Sequence, residues 1–324
     1  MSLRTLLLLL TPCAGIASSG PAAPVAPPDT DVFVADLYLD VGKVAPPANI
    51  TDRDGYDNQP AFTLDGSAVL YVADGDGDQT DVWRYELASG ARVQVTNTPE
   101  AEFSPTPLAA GGFSAVRVES PKAEGEAYTE SQHLYRYGMD GVAQGAVVAS
   151  LNRVGYHAWI DATRFAAFIV GGGEAKLPNR LVLVDSASGK VTPLAYDIGR
   201  SLGRAPDGRV TFVDKSNAKA WTVATLAPGD LKPNALIATP PGPPDEAEGA
   251  RSEDFCWLPD GTLLMAKGKW LLRWDGKPGS GWTALAELKD LPGDIKRLAV
   301  SRDGKHLAMV VEIKDPKRTR GIRG

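Results

Sequence analysis

Six stretches of the chain repeat one phrase: a turn built on Asp-Gly, a hydrophobic strand, then an aspartate-bearing strand closed by a small Gly turn. The clearest copy runs Gln59-Pro60-Ala61-Phe62-Thr63-Leu64-Asp65-Gly66, then Ala68-Val69-Leu70-Tyr71-Val72. It continues through Asp81-Val82-Trp83-Arg84-Tyr85-Glu86-Leu87 and Ser89-Gly90 to Val93-Gln94-Val95-Thr96. Alternating or β-branched runs bounded by Gly, Asn, Asp and Ser read as four short strands joined by tight turns. Related turns recur at Pro206-Asp207-Gly208, Pro259-Asp260-Gly261 and Arg302-Asp303-Gly304, with weaker copies at Ala110-Gly111-Gly112 and Asp161-Ala162-Thr163. The spacing is about 45 to 50 residues, the range of four-stranded propeller blades. A lone antiparallel sheet cannot bury both of its faces, whereas a ring of sheets stacked face to face can. No stretch reads as a long amphipathic helix.

Both ends of the repeat region are incomplete. After Arg302-Asp303-Gly304 the chain offers only Lys305-His306-Leu307-Ala308-Met309-Val310-Val311, two strands' worth with the preceding one. The missing half stands at the front, where Asp31-Val32-Phe33-Val34-Ala35-Asp36-Leu37, Gly42-Lys43-Val44 and Asn49-Ile50-Thr51 match a third and fourth strand. Pro46-Pro47 is tolerable there because the outermost strand is an edge. The expectation is an all-β, six-bladed β-propeller of four-stranded antiparallel blades, closed by N- and C-terminal strands sharing the last blade.

The turns Ala205-Pro206-Asp207-Gly208 and Ser301-Arg302-Asp303-Gly304 resemble the Ser-Pro-Asp-Gly box of the TolB-like six-bladed propellers with WD40-like repeats. Asp81 to Gly90, ending in Val95-Thr96, resembles the same family, and the similarity covers roughly residues 31 to 313. The family's namesake carries a preceding α/β domain, for which this chain offers no room between its leader and Asp31. The resemblance therefore implies a fold, and the namesake's envelope-bridging role is not carried over.

Residues 1–28 read as a signal peptide and a Pro/Ala-rich spacer, 29–313 as the propeller, and 314–324 as a basic tail. Met1-Ser2-Leu3-Arg4 is a basic start, Leu6 to Leu10 an apolar run, and Gly15-Ile16-Ala17 a small-residue cleavage pattern. The apolar run is too short to span a bilayer. Cys13 raises lipidation as an alternative, but Pro12 departs from the small residue that a lipoprotein box resembles, which favours simple export. A periplasmic or secreted, monomeric protein is expected. A length of 324 residues with 43% hydrophobic content supplies a core for one propeller, and a net charge of −6 disfavours nucleic acid or an anionic membrane as partner.

After leader removal only Cys256 remains, and its place in Asp254-Phe255-Cys256-Trp257-Leu258 suggests an apolar filler. Gly199-Arg200-Ser201-Leu202-Gly203 matches a nucleophile-elbow pattern, which requires a helix after the serine; here an inner strand follows. Asp74-Gly75-Asp76-Gly77-Asp78-Gln79-Thr80-Asp81 could wrap oxygen ligands round calcium, but it lacks the Gly and the bidentate Glu of a helical calcium loop and reads better as a solvated hairpin tip. His133, His157 and His306 fall in different blades with no metal-ligand spacing. No cofactor is expected.

Counting back from each turn lays the inner strands in register. It rings the channel mouth with Asp57-Asn58-Gln59, Phe103-Ser104-Pro105, Gly155-Tyr156-His157, Arg200-Ser201, Glu253-Asp254 and Lys296-Arg297. Asp57, Asn58, Tyr156, His157, Arg200, Glu253, Asp254, Lys296 and Arg297 are the candidate ligand-binding residues. Their charges are expected to form exposed pairs, so that reversing Glu253 and Asp254 would barely alter melting. A polar ring of mixed sign suits a peptide segment or a polar small molecule. The expected function is a non-catalytic module binding an envelope protein or peptide; the alternative is a saccharide lyase, glycosidase or lactonase acting at the same mouth. A propeller enzyme needs several converging carboxylates, histidines or metal ligands, and this ring holds a single histidine.

Overall fold

The computed structural model describes residues 28–75, 79–119, 131–172, 177–227, 229–230, 232–240 and 253–314. The leader with Cys13, the basic tail beyond 314, and Asp76-Gly77-Asp78 lie outside the described residues.

The described strands form six antiparallel sheets. Their first strands, β4 (Asp57–Phe62), β8 (Ala101–Pro107), β12 (Val154–Trp159), β16 (Ile198–Arg204), β20 (Phe255–Trp257) and β24 (Ile295–Val300), touch one another in succession and β24 returns to β4. These six strands line the axis; five of the chain segments then meander outward through three more strands, and the sixth blade is completed by strands from both ends of the described region. The chain is an all-β, six-bladed propeller.

Period-two alternation explains the stacking. In β5 (Ala68–Asp74), Val69, Tyr71 and Ala73 pack with Val32, Ile50 and Ala308 of the preceding blade. Leu70 and Val72 of the same strand face the other way, against Phe113, Ala115 and Tyr137 of the next blade. Both faces of each blade are thus core, and a fully buried side chain of this kind contributes about 1.5 to 3 kcal/mol.

The Asp-Gly turn is locally determined. At Asp65 one carboxylate oxygen accepts the Thr63 hydroxyl at 2.6 Å, the Ser67 amide at 3.1 Å and the Ser67 hydroxyl at 2.9 Å. These donors hold its pKa down at about 2. Gly66 follows at φ +72°, a left-handed conformation that costs glycine nothing. Asp303 repeats the pattern with Ser301 and the Lys305 amide.

A second repeat latches blade to blade. Asp81, on β6 (Thr80–Glu86), accepts from Thr96 and Gln94, while Thr96 Oγ1 accepts the Val82 amide at 2.8 Å. Thr80 donates to the carbonyl of Glu102 in the next blade. Asp31, on β1 (Thr30–Tyr38), accepts from Thr51 and Asn49 in the same way, Thr51 Oγ1 accepts the Val32 amide, and Thr30 donates to the carbonyl of Asp57. The N-terminal segment is therefore the outer half of a blade. It joins β25 (His306–Glu312) through pairs from Thr30↔Glu312 to Asp36↔His306 and carries β2 (Lys43–Val44) and β3 (Ala48–Asn49) on its far edge.

Candidate binding site at the channel mouth

Five of the six inner strands break register at the mouth. Gln59-Pro60 face the single residue Tyr71, Ser104-Pro105 the single residue Ala115, and Gly155 is extra between Val154 and Tyr156. Gly199-Arg200-Ser201 and Lys296 interrupt β16 and β24 likewise. Proline has no amide hydrogen for the ladder, so the first two breaks follow from sequence. Gln59 and Ser104 both sit at φ +54°, a conformation costing a side-chain-bearing residue about 1 to 3 kcal/mol. They are tied together, since Gln59 Oε1 accepts the Ser104 amide. Bulges of this kind turn side chains off the ladder and toward the axis.

A cavity of about 160 Å³ opens at this level, lined by Gln59, Ser104, Tyr156, His157, Arg200, Ser201, Asp254 and Arg297 among others. Across it Arg297 of the sixth blade donates to the Tyr156 hydroxyl of the third at 3.0 Å and stands over that ring at 5.2 Å. Asp254 joins the two guanidiniums, with Oδ2 at 2.7 Å from Arg200 and Oδ1 at 3.5 Å from Arg297. Burial works against the charge on Arg297, but Tyr156, Asp254 and Tyr56 outweigh it and hold its pKa above the ordinary value. Tyr56, which also feels Arg297, is pushed up to about 12 by burial.

Glu253 stands behind this pair. Its carboxylate lies 2.6 Å from Lys215 and accepts the Arg200 amide at 3.1 Å. Only glycine at 199 allows that approach, because a Cβ there would lie 2.4 Å from Glu253 Oε2. The glycines of the apparent elbow pattern thus serve close packing inside β16, and Ser201 sits mid-strand, accepting the Phe255 amide at 3.4 Å.

His157 Nε2 lies 2.7 Å from Ser114 Oγ, which also accepts from Trp159 Nε1 at 2.9 Å. Its Nδ1 has no partner among the described residues, and burial pushes its pKa down to about 3. His157 is a neutral wall of the cavity at ordinary pH, and Ser114 is fully buried behind it. His133 points to the Leu151 carbonyl and His306 to Asp36.

Of the nine candidate residues, Tyr156, His157, Arg200, Asp254 and Arg297 line the cavity and Glu253 supports it. Asp57 and Asn58 are buried between blades instead. Asp57 binds Arg53 at 2.9 Å, and burial pushes its pKa up to about 7 against that cation. Lys296 turns to the flank and pairs with Glu312 at 2.9 Å. The expectation of exposed charge pairs is corrected: Asp254 is 6% exposed and shared by two guanidiniums. Gln59 and Ser104, part of the counted ring but not of the candidate set, do line the cavity, whereas Tyr56, which precedes the inner strand, does not line it and acts through its electrostatic contact with Arg297. At the hairpin, Asp74 goes to Arg53 at 2.7 Å and Asp81 to the Thr96 latch. Cys256 lies in the core, and burial pushes its thiol up to about 12.

The architecture is shared with solved propellers. A protein assigned as TolB from Agrobacterium tumefaciens superimposes with a TM-score of 0.64 at 14% identity, covering 88% of this chain and 99% of its own. The fold is that of a TolB-like six-bladed propeller. TolB from Acinetobacter baumannii gives 0.54 at 14% identity, over 88% of this chain and 64% of its own. A gluconolactonase from Xanthomonas campestris gives 0.60 at 12% identity, over 90% and 99%. At such identities the likeness is one of fold. No protein-family model matches the chain, and no curated protein matches it in sequence.

Proposed function

We propose that the chain is an exported binding module of the bacterial cell envelope, periplasmic or secreted, whose channel mouth captures a polar segment of a protein or peptide. The observation that carries this is the cavity above the Arg297–Tyr156 bridge. It is polar, walled by residues from several blades, and held in shape by strained backbone at Gln59 and Ser104. Such a site is pre-organised, so little ordering is lost when a partner docks. The likeness to TolB proteins supports the same reading at the level of fold.

The enzyme alternative, a saccharide lyase, glycosidase or lactonase acting at the same mouth, draws on likeness of fold alone. Against it stand the role of Asp57 as an inter-blade group, the burial of Ser114 behind His157, and the pairing of Asp254 with two arginines. A carboxylate so paired is a poor general base.

The test is affinity capture from envelope extract with the chain as bait, beside a Ser104→Trp form that fills the mouth. Recovery of one specific protein by the parent and its loss with Ser104→Trp is the expected result. Equal recovery by both baits would place the binding surface elsewhere.

A further inference from the structure

The cations and carboxylates around the mouth do not balance. Arg200, Arg297 and Lys215 face two carboxylates, Glu253 and Asp254, and Glu253 is already engaged by Lys215, by the Arg200 amide and, at 3.4 Å, by Arg200 Nε. One positive charge is left over at the cavity wall.

The unspent hydrogen-bonding groups have the same bias. Tyr156 accepts from Arg297 through its oxygen, so its hydroxyl hydrogen remains for another acceptor. Gln59 spends its carbonyl oxygen on Ser104, which leaves its amide hydrogens to donate. Each guanidinium carries five N–H donors, more than the described residues use. A ligand that completes this wall is rich in acceptors and carries one negative charge. The cavity, at about 160 Å³, falls below the roughly 300 Å³ at which whole small-molecule sites begin, so it suits an end group.

We infer that the mouth recognises a carboxylate of the bound peptide, a C-terminal or an acidic side-chain group, gripped by Arg200 and Arg297 with the Tyr156 hydroxyl and the Gln59 amide. Asp254 now lies between the two arginines and is the internal rival that the incoming group must share them with. A dianionic phosphate would overshoot the single surplus charge, whereas a carboxylate matches it, and its two oxygens fit the forked donors of arginine. The inference rests on the peptide-binding reading above and names the chemical group that the mouth selects.

The test is a calorimetric titration of the full chain with N-acetyl-triglycine as free acid, its C-terminal amide, acetyl-Gly-Glu-Gly-amide, gluconate and inorganic phosphate. One or both acidic peptides bind about tenfold or more tightly than the neutral amide, the difference disappears in Arg297→Gln or Arg200→Gln, and Asp254→Asn strengthens the acid severalfold. Having two single-arginine variants covers the case in which one fails to fold. No saturable binding of either acidic peptide below about 10 mM, or tighter binding of phosphate than of the acids, overturns the inference. Equal binding of acid and amide that is lost in Ser104→Trp also overturns it, while leaving the mouth as the peptide site. Preference for gluconate over both peptides, abolished in Arg297→Gln, upholds the carboxylate and overturns the peptide.

Discussion

Arg297 and Tyr156 meet at 3.0 Å although 141 residues separate them, one from the sixth blade and the other from the third. Blades three and six face each other in a ring of six, so this one hydrogen bond spans the channel. Asp254 then links Arg297 sideways to Arg200, which couples blades four, five and six at the same level.

Replacing Tyr156 with Phe keeps its edge-on packing against Phe168 and removes the acceptor for a mostly buried guanidinium. The expected cost is about 1 to 3 kcal/mol, read as a lower midpoint with an unchanged slope in urea unfolding. A midpoint equal to that of the parent would mean that the bridge contributes nothing to closure.

The seam between β1 and β25 predicts what the ends of the chain do. Deletion of residues 1–51 strips the outer half of the last blade, bares Met309 and Val311 and removes the Asp31 latch, so the product aggregates or fails to melt cooperatively. Deletion of residues 1–28 spares the seam and the Asp29 contacts to Gly55 and Ile313 and leaves melting unchanged. A soluble, cooperatively melting product of the longer deletion would exclude the composite blade.

Most of the fold was legible because the Asp65 and Asp303 turns are local chemistry, with carboxylate, hydroxyl and glycine all within a few residues. The mouth was legible only in part. Counting back along β4 lands on Asp57 and Asn58 because the bulge at Gln59-Pro60 adds one residue to the strand, and along β24 Lys296 is itself the inserted residue. The sequence did contain a signal for the first case, the recurrence of a Pro at the same place in β4 and β8. That Asp254 would be buried between two arginines depends on three blades meeting, which no local pattern encodes.

Glu102 occupies in the second blade the place that Asp57 holds in the first, and burial pushes its pKa up to about 7 although Thr98, Thr96 and Tyr137 all donate to it. The folded state therefore holds a proton that the unfolded chain releases near its ordinary carboxylate value. Stability contributed by this proton is full below about pH 4.5 and is lost as pH rises through about 7. Glu102→Gln removes that titration, flattening the pH dependence across this window by up to about 3 kcal/mol, measured as urea midpoints at several pH values. An unchanged profile would show that Glu102 ionises in the fold as it does in water.

Gly199→Ala drives a methyl group against Glu253 and should cost about 1 to 3 kcal/mol. The double variant Gly199→Ala with Glu253→Ala should recover part of that loss, since the obstructing carboxylate is gone. Strict additivity of the two losses would place the strain elsewhere in β16.

The claim that the mouth is the working surface is tested most directly by site-specific photo-crosslinking in the native envelope. A benzophenone side chain placed at Ser104, on the cavity wall, should form a crosslink to one protein, and the same group at the exposed Val191 on a blade side should not. A specific adduct from position 191 with none from 104 would contradict the account.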